Sequence, residues 1–312
     1  MKNCGYVGKV THGRFLSGRS LVELMIAISI SLLILTALIA LFEANRQNYR
    51  LTDDKTRLDE EGRLALNLIA FHLRMAGYGE LTTAKPVNMS NTPYTNFMSG
   101  SQSANYSTSK KLEAVQGCSG GFVSPGDVSP TCKNSGAGDG IIIRYVVAAN
   151  NAKVSSASSP TDCLGQKIIG SPAIVDNRFY VATNAGSSTP ELYCAGNGGT
   201  PSGAVTFVAP PQPIAENVTD MRITYGYDSD DDQSADRFLR ADAITALPLP
   251  NWSRVVSAQI CLVLRSANDG LTTKNQQYFD CKGDLRIATD RRLYSIFSSV
   301  VTIRSRASGE SL

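Results

Sequence analysis

The feature that most constrains this chain is an uncharged apolar stretch, residues 24–42. Built as an α-helix it is roughly 28 Å long, close to the hydrocarbon thickness of a bilayer. A secretory signal peptide has a shorter apolar core and then a small-residue cleavage site, whereas a helical pattern follows this stretch. The stretch therefore predicts one membrane-spanning helix, with a plain signal anchor as the simplest alternative.

The charges around this stretch predict its orientation. Lys2, Lys9 and Arg14 lie in the first 18 residues, which contain no acid. Basic flanks stay in the cytoplasm, so the bulk of the chain is expected outside it. Without these three, 27 of the 30 Lys and Arg residues remain and balance the 27 Asp and Glu residues. The balanced remainder gives no electrostatic argument for a nucleic-acid partner.

The helical pattern continues beyond the apolar stretch. Residues 43–77 contain no proline, and an apolar face recurs at helical spacing in their second half. Its positions are Leu58, Ala65, Leu68, Ile69, Leu73 and Ala76, widened by Leu64, Phe71 and Met75. The pattern predicts one helix over about residues 20–76, about 85 Å long. Gly77 and Gly79 supply the stop, and Gly62 is expected to be a soft point inside the helix.

The remaining chain predicts a sheet domain. Residues 78–138 are rich in Ser, Thr, Asn and Gly and are interpreted as an irregular loop region. Strand-like runs follow at 140–149, 178–183, 191–194, 204–208, 218–227, 254–265 and 293–304. One helix followed by strands predicts an α+β fold, a long helix packed on a mainly antiparallel sheet. The expected segments are 1–18, 19–42, 43–77, 78–138 and a β-rich domain at 139–312.

Six of the seven cysteines lie beyond the membrane stretch: Cys118, Cys132, Cys163, Cys194, Cys261 and Cys281. An even number in an oxidising compartment predicts up to three disulfides. Nearest-neighbour pairing (118–132, 163–194, 261–281) is favoured because each pair brackets a turn-rich stretch. Free buried thiols are the alternative.

An acidic loop follows the strand that ends at residue 227. Asp228, Asp230, Asp232 and Asp236 occupy its first, third, fifth and ninth positions, a spacing that can surround Ca²⁺. The loop has Gln233 where a calcium loop has glycine, and Leu239 where it has a bidentate glutamate. Two interpretations follow, a solvated acidic turn or a weak extracellular calcium site.

The sequence offers little for catalysis. His12 and His72 are the only histidines, and His72 falls on the predicted helix. One histidine beyond residue 18 leaves no ready Ser-His-Asp or Cys-His arrangement, and no phosphate-binding glycine loop follows a strand. We therefore expect neither an enzyme nor a cofactor other than the calcium ion considered above.

The residues around Glu23 carry a resemblance. Glu23 is the only charge among residues 20–42, and it would be the fifth residue of a chain cut after Gly18. The sequence Gly18-Arg-Ser-Leu-Val-Glu23 and the apolar stretch after it resemble the class III signal of type IV pilins and type II secretion pseudopilins. The resemblance implies that a prepilin peptidase cuts after Gly18 and methylates the new amine, and that Glu23 guides assembly. Arg19 is a departure, since this family usually has Phe there.

Further segments resemble the PilW family of minor pilins. They are residues 61–78 (EGRLALNLIAFHLRMAGY), 180–184, 191–194, 218–226 and 300–306. PilW-like chains often have an Asp-rich loop after the segment that corresponds to residues 218–226, which favours the calcium interpretation. Apart from Gly77 and Tyr78, which end the first of these segments, nothing in residues 77–138 takes part in the resemblance.

This resemblance implies a structural subunit that helps to start type IV pilus assembly and sits at or near the pilus tip. The implied partners are the peptidase, other minor pilins, the major pilin, a tip adhesin and, before assembly, inner-membrane lipid. The domain would lie in the periplasm and later on the pilus. A type II secretion minor pseudopilin and a signal-anchored periplasmic enzyme or binding protein are the alternatives.

Overall fold

The computed structural model describes residues 20–78, 113–147, 161–199 and 207–307, apart from gaps at 128–129, 134, 137, 169–172, 185, 187, 208, 249–251 and 273. The chain divides into two compact units, Met1–Leu51 and Thr52–Leu312. A single helix, α1, runs over Leu21–Met75. The predicted long helix is thus present, with ends within one residue of those expected.

Short helices and strands make up the rest of the described chain. The helices are α2 (Ala241–Thr245) and α3 (Arg304–Ala307), and Trp252–Arg254 form a 3-10 turn. The strands are β1 (Val115–Cys118), β2 (Gly140–Val147), β3 (Ala173–Thr183), β4 (Pro190–Gly196), β5 (Gln212–Glu216), β6 (Val218–Tyr227), β7 (Arg237–Leu239), β8 (Val255–Arg265), β9 (Gln277–Phe279), β10 (Leu285–Ile287) and β11 (Tyr294–Thr302).

These strands form antiparallel sheets. A five-stranded meander has the order β1-β2-β3-β4-β5, and a four-stranded sheet has the order β11-β8-β6-β7. A separate hairpin pairs β9 with β10. The Val- and Ile-rich strands put alternate side chains into the main core, and a smaller cluster around Phe122 and Tyr180 is buried beside the five-stranded sheet. The predicted α+β class, a long helix with antiparallel sheets, is confirmed.

Within Thr52–Leu312, the second half of α1 supplies one wall of that core. Leu58, Ala65, Ile69 and Leu73 are four or seven residues apart and are almost fully buried among strand side chains. Leu64 and Phe71, which were expected to widen this face, are instead 65% and 56% exposed. The buried side chains therefore form a narrower stripe than the apolar pattern suggested.

Gly62 is a contact point between helix and sheet. It is buried, and a Cβ built on it would overlap the ring of Phe297 on β11. Only glycine lets this ring approach the α1 backbone so closely. The helix continues through Gly62, where the residue serves packing against Phe297, and the soft point expected from its helix propensity stays a prediction.

The end of α1 is tied to the domain. Gly77 has φ +73°, the left-handed conformation that ends many helices. Its N–H donates to the Arg144 carbonyl on β2 (2.9 Å), and the Ser305 hydroxyl of α3 donates to the Ala76 carbonyl (2.7 Å). Two groups at the helix end thus gain partners from distant parts of the chain.

The segment 78–138 is only partly irregular. Residues 79–112 lie outside the described residues, but Val115–Cys118 form β1 and pair with β2. Phe122 is also buried, against Tyr180 of β3. Most of the expected strand 204–208 lies outside the described residues, and its described member Phe207 is in no strand.

Three disulfides link the strands to their neighbouring loops: Cys118–Cys132, Cys163–Cys194 and Cys261–Cys281. They are the nearest-neighbour pairs that the sequence favoured. Their sequence separations are 14, 31 and 20 residues. Closing loops of this size typically stabilises a domain by about 3 kcal/mol per bond.

Candidate functional site

The first half of α1 has an uncovered apolar surface. Every large apolar side chain from Leu21 to Phe42 is between 51% and 73% exposed within the described chain. This is the one described helix long and apolar enough to cross a membrane. Because such a surface is unfavourable in water, it requires either lipid or the apolar surfaces of neighbouring chains.

Glu23 lies in the first turn of α1. A carboxylate is favoured there by the positive end of the helix dipole, but it forms no ion pair with any described residue. Gly18 and Arg19, the expected cleavage and methylation residues, lie outside the described residues. Glu23 is therefore available for a partner group that the described chain does not provide.

The acidic loop brings together three of its four expected ligands. Carboxylate oxygens of Asp228, Asp230 and Asp236 lie within 4.8 Å of one another, whereas Asp232 is not part of this group. The pKa of Asp230 is raised, first by desolvation and then by the neighbouring Asp232 and Asp236. The repulsion indicates concentrated negative charge, the condition under which a hard cation binds.

Asp228 also organises the loop backbone. Its buried carboxylate accepts N–H bonds from Asp230 (3.2 Å), Asp231 (2.7 Å) and Gln233 (2.6 Å). Asp231 and Gln233 have positive φ, which these bonds help to hold. The loop is therefore shaped by Asp228 itself, and this geometry is equally expected of a solvated acidic turn.

Sequence reasoning missed a cation in this loop. Arg254 is the last residue of the 3-10 turn. Its guanidinium group pairs with Asp231 (2.7 Å) and donates to the Ser229 carbonyl (2.7 Å). Its positive charge offsets one carboxylate and holds the loop against β8. The signal was absent from the local sequence because the arginine lies 23 residues beyond its partner.

His72 is buried in a polar cluster beneath β2 and β3. Its Nδ1 lies 3.1 Å from the Tyr145 hydroxyl and 3.0 Å from the Asn177 Nδ2. The Asn177 Oδ1 accepts the Cys163 N–H, so the amide nitrogen faces the imidazole. An amide nitrogen only donates, and His72 must therefore be neutral with an accepting Nδ1. Burial lowers the pKa of His72 to about 4, in keeping with a structural role.

A buried charge cluster lies on the same strands. Asp176 on β3 pairs with Arg144 (2.8 Å), which faces it across the ladder, and with Arg178 (3.1 Å). Burial alone would raise the pKa of Asp176, but the two guanidinium groups lower it to about 2. Arg178 also donates to the Pro125 and Asp127 carbonyls and stacks 3.8 Å from the centre of the Phe207 ring. The cluster pins the loop of residues 125–127 to the sheet. The sequence signal that could have pointed to this cluster was an arginine inside each of two strand-like runs, Arg144 in 140–149 and Arg178 in 178–183.

Residues 178–305 match the model of a family described as type IV pilus-assembly protein W. The matched segment includes the acidic loop and all of β6–β11. The resemblance indicated by the sequence motifs is confirmed over this part of the chain. No curated protein matches the chain.

Among solved structures, a type IV-like pilin from Thermus thermophilus is similar to this chain. The likeness covers 80% of this chain and 98% of that one, at 13% identity and a TM-score of 0.39. A likeness at that score carries no argument about function.

Proposed function

We propose that this chain is a minor pilin that helps to start type IV pilus assembly and lies at or near the pilus tip. The observation that carries the proposal is the match of residues 178–305 to the type IV pilus-assembly family. It supports a structural role with other pilins as partners, and the cluster around His72 offers no exposed catalytic base. The initiating role and the tip position go beyond that match.

The exposed apolar surface of α1 supports storage in a membrane followed by transfer to a fibre. Lipid can cover the side chains of residues 21–42 before assembly, and neighbouring α1 helices can cover them afterwards. Leu64, Phe71 and Tyr78 extend the exposed apolar surface along the second half of the helix and beyond its end. A helix that served only as a membrane anchor would have no need of apolar side chains there.

We further propose that Glu23 is the assembly contact. Cleavage after Gly18 by the prepilin peptidase would create an α-ammonium on Arg19, four residues before Glu23. In a low-dielectric bundle this cation and the Glu23 carboxylate of a neighbour attract strongly. The pair would neutralise both charges as a subunit leaves the headgroup region.

N-terminal mass spectrometry of the protein isolated from membranes tests the processing. A mature chain that begins with methylated Arg19 is expected, and substitution of Gly18 should accumulate the precursor. If the isolated protein keeps its first 18 residues, no new amine exists and the assembly mechanism is refuted.

A matched pair of substitutions tests the assembly contact. Glu23→Ala should abolish or strongly reduce surface pili, because the neighbouring amine loses its counter-charge. Glu43→Ala removes an exposed carboxylate from the same helix outside the apolar stretch and should leave pili intact. An anchored enzyme or receptor predicts no effect of either change. Loss of protein secretion without loss of pili would indicate the type II secretion pseudopilin instead.

Calcium binding by the acidic loop is a separate proposal. It is supported by the three converging carboxylates and by the raised pKa of Asp230. Isothermal titration of the detergent-solubilised chain with Ca²⁺ should give a binding isotherm that Asp230→Asn weakens. Asp232→Asn is the matched comparison and should weaken binding less, because it removes a nearby charge but no converging oxygen. The absence of heat at millimolar Ca²⁺ would leave the solvated acidic turn as the correct interpretation.

A further inference from the structure

The edge strand β11 has a row of unpaired backbone groups. The backbone N–H and C=O groups of its odd-numbered residues point toward β8. Hydrogen bonds at the two ends show this: the Ser266 N–H donates to the Leu293 carbonyl (2.7 Å), and the Ile303 N–H donates to the Val256 carbonyl (2.9 Å). The N–H and C=O of Tyr294 point the other way and are bound by the side-chain amide of Gln276 (2.6 and 2.9 Å). By the alternation of antiparallel ladders, the N–H and C=O groups of residues 296, 298, 300 and 302 lie along the outer edge.

No described strand pairs with this outer edge, although Gln276 and β9 lie beside Tyr294 at its beginning. The side chains of Ile296, Ser298, Val300 and Thr302 are all exposed, and β8 is the only described strand that pairs with β11. The Gln276 side chain binds only the first outward-facing residue, Tyr294. The edge from residue 296 onward therefore offers backbone donors and acceptors to another strand.

The other described sheet edges carry devices that discourage pairing. β1 has four residues and β7 has three, one of them Arg237. β5 contains Pro213 and Glu216 and pairs with β4 through a bulge. β11, in contrast, has nine residues without a charge, a proline or a bulge. Natural sheets rarely leave such an edge uncovered, so a partner strand is expected.

The sequence of β11 fits a second copy of itself. If two β11 strands pair antiparallel with Ser298 facing Ser298, then Ile296 of each copy faces Val300 of the other. The strand carries no charge, so this register places no like charges opposite each other. It also forms two cross-strand pairs of branched apolar side chains, one on each side of Ser298. Residues 296, 298 and 300 would exchange about six backbone hydrogen bonds with the second copy.

We propose that two copies of this chain associate through β11, antiparallel about Ser298. The contact is a single strand pair, which places it among the small and reversible interfaces. Confinement of both chains to one membrane would raise their effective concentration and favour the pair before assembly. The proposal rests on the edge geometry and does not depend on the proposed pilin function.

Disulfide trapping in membranes tests the register. The full chain carrying Cys4→Ser and Ser298→Cys has one cysteine beyond its three native disulfides. Facing Cα atoms in such a ladder are about 5.5 Å apart, within the range for a disulfide. Thr302→Cys in the same background is the control, because in this register its two copies lie about 27 Å apart. Mild oxidation should give at least tenfold more cross-linked dimer for Ser298→Cys.

A charge exchange tests the same contact independently. In the Ser298→Cys chain, Ile296→Lys should reduce cross-linking severalfold, and adding Val300→Glu should restore it by pairing opposite charges across the interface. The exposed positions and the intact native disulfides allow folding to be checked by non-reducing gels and circular dichroism. Equal cross-linking at positions 298 and 302, or none at either, would overturn the proposal, as would a double variant that stays uncross-linked while folded.

Discussion

Protonation of His72 is expected to destabilise the fold as the pH falls from about 7 to 5. In the native chain, Nδ1 accepts a hydrogen bond from the Asn177 amide within a buried cluster, and burial lowers the pKa of His72 from 6.5 to about 4. The unfolded chain then binds the proton more readily than the native chain. The stabilisation is therefore fully present above the unfolded pKa of 6.5 and is lost as the pH falls toward 4.

The magnitude follows from linkage between protonation and folding. With these two pKa values, the difference in proton binding between pH 7 and pH 5 lowers the free energy of unfolding by roughly 2 kcal/mol. The full loss, reached below pH 4, is roughly 3 kcal/mol. Either amount is a large fraction of the stability of an ordinary domain.

Urea denaturation of the detergent-solubilised chain at several pH values measures this loss. The matched variant is His72→Gln, whose amide oxygen can accept the same hydrogen bond from Asn177 and does not titrate. Subtracting its curve from that of the unsubstituted chain removes the contributions of carboxyl groups such as Glu61, whose pKa is raised by burial. A difference that stays constant between pH 7 and pH 5 would refute the inferred neutral state of His72.

Two further substitutions test packing and buried charge. Gly62→Ala should lower the free energy of unfolding by about 1–3 kcal/mol, because the added Cβ overlaps the Phe297 ring even though alanine favours helices. Thermal unfolding measures this loss. If the overlap is the cause, the Gly62→Ala/Phe297→Leu double variant should recover stability. Asp176→Asn should cost about 3–5 kcal/mol in denaturant unfolding, because it removes the carboxylate charge that lies between the buried Arg144 and Arg178. A loss below 1 kcal/mol would contradict this account of the cluster.

Local periodicity was sufficient for the long elements of this chain. The apolar residues 24–42 and the spacing from Leu58 to Ala76 predicted α1, and β6 has the same ends as the strand expected at 218–227. These elements depend on neighbours within one or two turns or along one strand, which the sequence displays directly. The short strands β1, β5, β7, β9 and β10 were missed, because three to five residues carry too little pattern of their own.

The candidate sites divide in the same way. The segment from Gly18 to Glu23, which resembles a class III signal, is a local motif, and its proposed processing and assembly roles stay predictions. The Asp-rich loop was visible too, but which aspartates converge, and that Arg254 holds Asp231, depended on how the backbone turns.

Only the tertiary structure decided why Gly62 is a glycine, which groups surround His72, how Asp176 balances two arginines and which strand is left at the edge of a sheet. Each of these joins residues that are distant in sequence, such as Gly62 with Phe297 and His72 with Asn177. A sequence shows what each segment can form, because helix and strand periods are local. It does not show which faces meet, because that depends on how segments distant in sequence pack together at the density of a protein interior.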